Sequence, residues 1–216
     1  MELAFFTILA TSFVITLSGA LMPGPLLTVT ISESSRKGAM AGPVMIFGHA
    51  LLELALIFFL LSGLAPFLAG DATFIVIALA GGAVLLFMGT TMVRELPGLT
   101  LTGKNPAPGS KNLVVTGIVL SVVNPYWLIW WASIGTGYIM QSLAFGMLGV
   151  CAFFLGHILA DFGWYGFVSF GIAKGKKLLS DTVYRRIIGG CALCLILFSG
   201  WFFYSGITRL ITVIST

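Results

Sequence analysis

The feature that most constrains this chain is its succession of long apolar segments. Six stretches, at about 3–31, 39–67, 72–93, 113–136, 141–173 and 185–211, hold the ~20 apolar residues that a helix needs to cross a bilayer core. Only 8% of the residues are charged, against about a quarter in a soluble domain. Folded in water, such a chain would expose very large apolar patches. The alternating, turn-separated segments of a membrane β-barrel are absent. The expected fold class is therefore an all-α membrane protein with six transmembrane helices. The opening Met1-Glu2-Leu3 lacks a basic n-region and leads into a long apolar run, so it is expected to begin the first span rather than a cleaved leader.

Basic residues report topology, because cytoplasmic loops accumulate Lys and Arg. Arg36 and Lys37 follow the first stretch. Arg94, Lys104 and Lys111 lie between the third and fourth, and Lys174, Lys176, Lys177, Arg185 and Arg186 between the fifth and sixth. These odd-to-even connections hold all basic residues but Arg209. The chain is expected in the cytoplasmic membrane with both termini outside. The net charge of +4 is this loop bias, and no nucleic-acid partner follows from it. The Pro- and Gly-rich segment 97–111 reads as a cytoplasmic linker between residues 1–96 and 112–216.

Those two halves resemble each other. At an offset of 108 residues, Gly48-His49-Ala50-Leu51-Leu52-Glu53 lies over Gly156-His157-Ile158-Leu159-Ala160-Asp161. Gly63 meets Gly171, Ala65 meets Ala173, and Gly81-Gly82 meets Gly189-Gly190. The chain has two histidines, and both fall in the matched motif. A repeat of three spans must enter the membrane from opposite sides in its two copies. The expectation is two inverted-topology three-helix repeats, an architecture that places a solute site near the midplane on the pseudo-two-fold axis.

Two constellations could carry transport. His49 with Glu53, and His157 with Asp161, are spaced i, i+4 on one helix face. At about 1.5 Å per residue, His49 lies roughly 15 Å into its span, where a carboxylate is costly unless neutral, paired or hydrated. The four are candidate proton-coupling groups; alternatively they are ligands of a divalent metal, or hydrogen bonds that tie helices together. The second constellation is Pro23-Gly24-Pro25 in the first span with Asn124-Pro125 in the fourth. Proline removes a backbone donor and breaks a helix, and broken helices in corresponding spans point to a substrate site. Trp127, with Trp130 and Trp131, could wall that site, although tryptophan at a lipid interface is the commoner use. Glu33 beside Arg36 and Lys37 reads as a solvated ion pair, and Asp71 as a solvated turn residue. Cys151, Cys191 and Cys194 read as small buried side chains.

With these motifs the chain resembles the lysine-exporter (LysE/RhtB) family of amino-acid translocators over nearly its whole length. Pro23, Gly24 and Pro25 match the family's first break, and Asn124 and Pro125 its second. The resemblance implies export of amino acids or their derivatives, commonly against an inward proton gradient. One departure is Tyr126, where the family usually carries lysine; the paired histidines are another. The expected activity is secondary-active, proton-coupled export of small solutes by alternating access. The alternative is export of a divalent metal through His49, Glu53, His157 and Asp161. No enzyme activity and no cofactor are expected. The expected partners are a small-molecule substrate, protons and the lipid bilayer, and the glycine-rich faces would permit a homodimer.

Overall fold

The computed structural model describes residues 2–64, 70–99, 111–175 and 180–215. Most of the linker 97–111, together with Ala65, Pro66, Lys176 and Lys177, lies outside them. The regular elements among the described residues are all helices, without a strand: α1 (Glu2–Ala20), α2 (Pro25–Lys37), α3 (Ala41–Phe59), α4 (Asp71–Glu95), α5 (Leu113–Val122), α6 (Pro125–Trp130), α7 (Thr136–Leu143), α8 (Gly146–Gly175) and α9 (Asp181–Ser215). Five helices, α1, α3, α4, α8 and α9, are long and apolar enough to cross a membrane. The bent unit Leu113–Val122 plus Pro125–Leu143, angled by 63°, makes up to six. Large apolar side chains such as Phe58, Phe87, Phe167 and Trp201 point outward, as lipid-facing residues should.

The breaks arise where the sequence removes helix donors. The first helix stops at Ala20 and restarts at Pro25, a residue whose fixed φ and missing N–H suit a first helical position. In the fourth span Pro125 again opens a helix, and the Asn124 side chain caps it by accepting from Tyr126 N–H at 3.1 Å. The fourth span continues past the expected end at residue 136, through a π turn at Trp131–Gly135 and α7, to Leu143. Gly146, at φ 68°, then turns the chain into α8, so residues 141–143 belong to the fourth span and not to the fifth. A second π turn, Leu60–Leu64, ends the second span, and Gly63 there adopts φ 105°. Its counterpart Gly171 lies inside α8.

Three helix pairs dominate the packing: α1 on α8, α3 on α5, and α4 on α9. The first two make matching contacts. A Cβ on Gly156 would lie 2.2 Å from the Leu9 carbonyl oxygen, and one on Gly48 2.0 Å from that of Val114. Ser12 donates to the Phe153 carbonyl, while Gly117 presses on the Met45 carbonyl, 1.9 Å from a would-be Cβ. Only glycine permits backbones this close. Leu9, Ser12 and Thr16 thus stand to α8 as Val114, Gly117 and Ser121 stand to α3, an offset of 105 residues, whereas α3 and α8 correspond at 108.

The ion pairs correct the expectation for Glu33 and leave Asp71 solvated, at 45% side-chain exposure. Glu33 is paired with Lys37 at 2.9 Å; its side chain is only 5% exposed, whereas that of Lys37 is 37% exposed, so the acid is buried and its partner reaches the surface. It sits where α2 packs against α3 and α8. Asp71 binds Arg209 at 2.6 Å, tying α4 to α9. That pairing neutralises the one basic residue that departs from the loop bias.

Candidate functional site

α3 presents His49 and Glu53 one turn apart, and α8 presents His157 and Asp161 in the same way. All four are buried, Glu53 at 0% exposure. The structure brings the two pairs together into one tetrad. His49 Nε2 lies 2.9 Å from Glu53 Oε1 and 3.7 Å from Asp161 Oδ2. His157 Nε2 lies 3.0 Å from Glu53 Oε2 and 3.5 Å from Asp161 Oδ2.

Each imidazole is oriented from behind by a hydroxyl of the other half. His49 Nδ1 meets Ser121 Oγ at 2.6 Å, and His157 Nδ1 meets Thr16 Oγ1 at 2.8 Å. Ser121 already donates its only hydrogen to the Gly117 carbonyl, so it accepts from His49 Nδ1–H. His49 Nε2 then faces a carboxylate oxygen at hydrogen-bond distance, and a proton must be shared between them. The tetrad thus sets both imidazole Nε2 atoms at hydrogen-bond distance from the Glu53 carboxylate.

The carboxylates are treated unequally. Glu53 Oε1 accepts from Trp127 Nε1 at 3.0 Å and Trp131 Nε1 at 2.9 Å. These donors replace the water that a buried carboxylate loses. Asp161 Oδ2 is buried and makes no hydrogen bond. The tryptophans therefore do not face lipid: Trp130 and Trp131 are 5% and 1% exposed.

A cavity of about 50 Å³ opens onto the tetrad, lined also by Thr16, Ser121, Asn124, Tyr126, Trp127 and Trp130. That is room for water. Trp130 Nε1 borders it as a buried donor with no hydrogen bond. A neighbouring cavity of about 30 Å³ lies against Pro23 and Gly24 and shares Asn124 and Tyr126 with the first. The two breaks touch: a Cβ on Gly24 would lie 3.5 Å from Asn124 Nδ2.

Of the residues read from sequence, His49, Glu53, His157, Asp161, Asn124 and Trp127 line the tetrad cavity, and Pro23 and Gly24 line its neighbour. Pro25 and Pro125 are buried but line neither; Pro125 packs on Gly81 of α4. The expectation that the breaks occupy corresponding positions also changes. By the 105-residue register of the first spans, Asn124 corresponds to Gly19, not to Pro23–Pro25, so the breaks are neighbours in space without being equivalents. The sequence reading missed Thr16, Ser121 and the bond from Trp131. The signals were there: hydroxyls within the apolar first and fourth spans, and a tryptophan four residues after Trp127. Cys191 and Cys194 are unpaired on α9.

A family model of LysE type translocators matches residues 17–206. No curated protein and no solved structure matches the chain. The matched range includes both breaks, all four tetrad residues and the tryptophans that bind Glu53.

Proposed function

Because the chain belongs to the LysE type translocator family, a family of small-solute membrane transporters, we propose that it exports its solute by alternating access in exchange for protons. The observation that carries this reading is the convergence of His49/Glu53 and His157/Asp161 from separate helices into one buried cluster. Buried ionisable groups at mid-membrane are expensive and mark ion pathways and proton relays. Amino acids or their derivatives are the cargo class that the resemblance favours. Tyr126 lines both cavities where the family usually has lysine, and offers them a phenol in place of an ammonium.

Residues 1–96 and 112–216 are the two inverted repeats of this reading. Support comes from the matched contacts: Thr16 with His157 repeats Ser121 with His49, and Leu9 with Gly156 repeats Val114 with Gly48. Both termini lie outside the cell membrane, as the basic connections require. In the cycle, Asp161 is the group that gains and loses the transported proton, because it lacks the indole donors that stabilise Glu53 as an anion. The two breaks, flanking the shared wall of the cavities, are where the helices flex to open one side and close the other.

The test is efflux from proteoliposomes under an imposed pH gradient, across a panel of amino acids. Wild type is expected to drive efflux of at least one solute, and Asp161→Asn to lower it sharply while eluting as a folded species. Gradient-independent transport, or full activity in Asp161→Asn, would contradict proton coupling through this acid.

A further inference from the structure

We infer that a divalent transition-metal cation is a cargo of the tetrad. This rests on the reading of the tetrad as the exporter's central cation site and adds a class of substrate to it. Four ligand atoms, one each from His49, Glu53, His157 and Asp161, lie within 4.8 Å of one another. A tetrahedral cation with bonds of about 2.0–2.2 Å requires ligand–ligand edges of about 3.3–3.6 Å. The edge from Asp161 Oδ2 to His157, 3.5 Å, already fits, and that to His49, 3.7 Å, is only slightly longer. Glu53 Oε2 lies 3.0 Å from His157 Nε2, a hydrogen-bond length that needs to open by only about half an ångström.

The surroundings are those of a ligand set and not only of helix glue. Ser121 and Thr16 hold each Nδ1, so both Nε2 atoms point inward. This backing is what fixes metal-binding imidazoles. Trp127 and Trp131 occupy Glu53 Oε1, and Oε2 is left for the centre. Asp161 Oδ2 is buried without a hydrogen bond, which a purely structural network would not leave. Two carboxylates carry the charge that one divalent cation cancels, and the cavity of about 50 Å³ gives room beside it for water. Two imidazole nitrogens among four donors favour zinc, cobalt or nickel over magnesium or calcium, which prefer an all-oxygen shell.

Purified full-length protein titrated with Co²⁺ should bind one equivalent and show the visible bands of tetrahedral cobalt. No thiolate charge-transfer band should appear; Zn²⁺ should bleach the signal, and Mg²⁺ and Ca²⁺ should not. Ser121→Ala, which keeps every ligand, should weaken binding about 10–100-fold. Proteoliposomes loaded with Zn²⁺ should release it under an inward proton gradient. An octahedral or absent cobalt spectrum in the wild-type protein overturns the inference, and needs no variant to fold. So does tight binding with no release, with or without the gradient. If amino-acid efflux persists under the gradient while no metal binds, the metal cargo falls and the proton-coupled reading stands. If metal is released with no dependence on the gradient, it is proton coupling that falls.

Discussion

Glu53 is the most heavily hydrogen-bonded side chain of the site, and its partners set what can change there. Oε1 receives the Trp127 and Trp131 indoles and both imidazoles. A hydrogen bond to a charged group contributes about 1.5–3 kcal/mol, and a buried group stripped of its partner pays desolvation as well. Trp131→Phe keeps the ring against Phe153 and removes only the N–H. We expect it to destabilise the protein by about 2 kcal/mol, seen as a lower melting temperature in detergent, and to slow gradient-driven efflux. Trp201→Phe, on the outward face of α9, should do neither. Within each helix the i, i+4 pairing of histidine and acid was legible from the spacing. The indole donors were not, because lipid-facing and site-facing tryptophan look alike in sequence until the partner helix is known.

At the scale of the element, the helix breaks and the glycine contacts decide the geometry. Asn124 caps α6 through Tyr126 N–H, so Asn124→Ala should cost about 1 kcal/mol and Asn124→Asp, which retains the acceptor, much less. Thermal unfolding of the two variants side by side checks this. Gly48 has the Val114 carbonyl where its Cβ would be. Gly48→Val is expected to force α3 and α5 apart, moving His49 away from Ser121 and lowering both stability and transport. Transport by Gly48→Val at the wild-type rate would show that this close approach is not needed. Both proline breaks were legible, since proline carries its reason in its own ring. The π turns at Leu60–Leu64 and Trp131–Gly135 were not. Nothing in the side chains of Trp131–Gly135 forbids a regular helix; the turn shows itself in Thr136, whose backbone N–H and Oγ1 both donate to the Trp131 carbonyl five residues back.

For the whole molecule, hydropathy carried the division into spans. The membrane class and the spans followed from local composition, whereas the union of the tetrad depends on α3 and α8 meeting, a contact across more than a hundred residues that spacing cannot reveal. The duplicated GHxLx[E/D] motif was the one signal of it. Arg209, the exception to the bias of basic residues, is paired with Asp71. Epitope tags at the two termini should both be cleaved by protease added to intact cells, while a tag in the 97–111 connection should be protected. The central claim is that both halves serve one exchange centre, and a mutant cycle tests it most directly. Gradient-driven efflux is measured for Glu53→Gln, Asp161→Asn and the double variant. If the two acids act as a unit, the double variant transports no worse than the weaker single variant. Losses that multiply, as for independent sites, would contradict a shared centre.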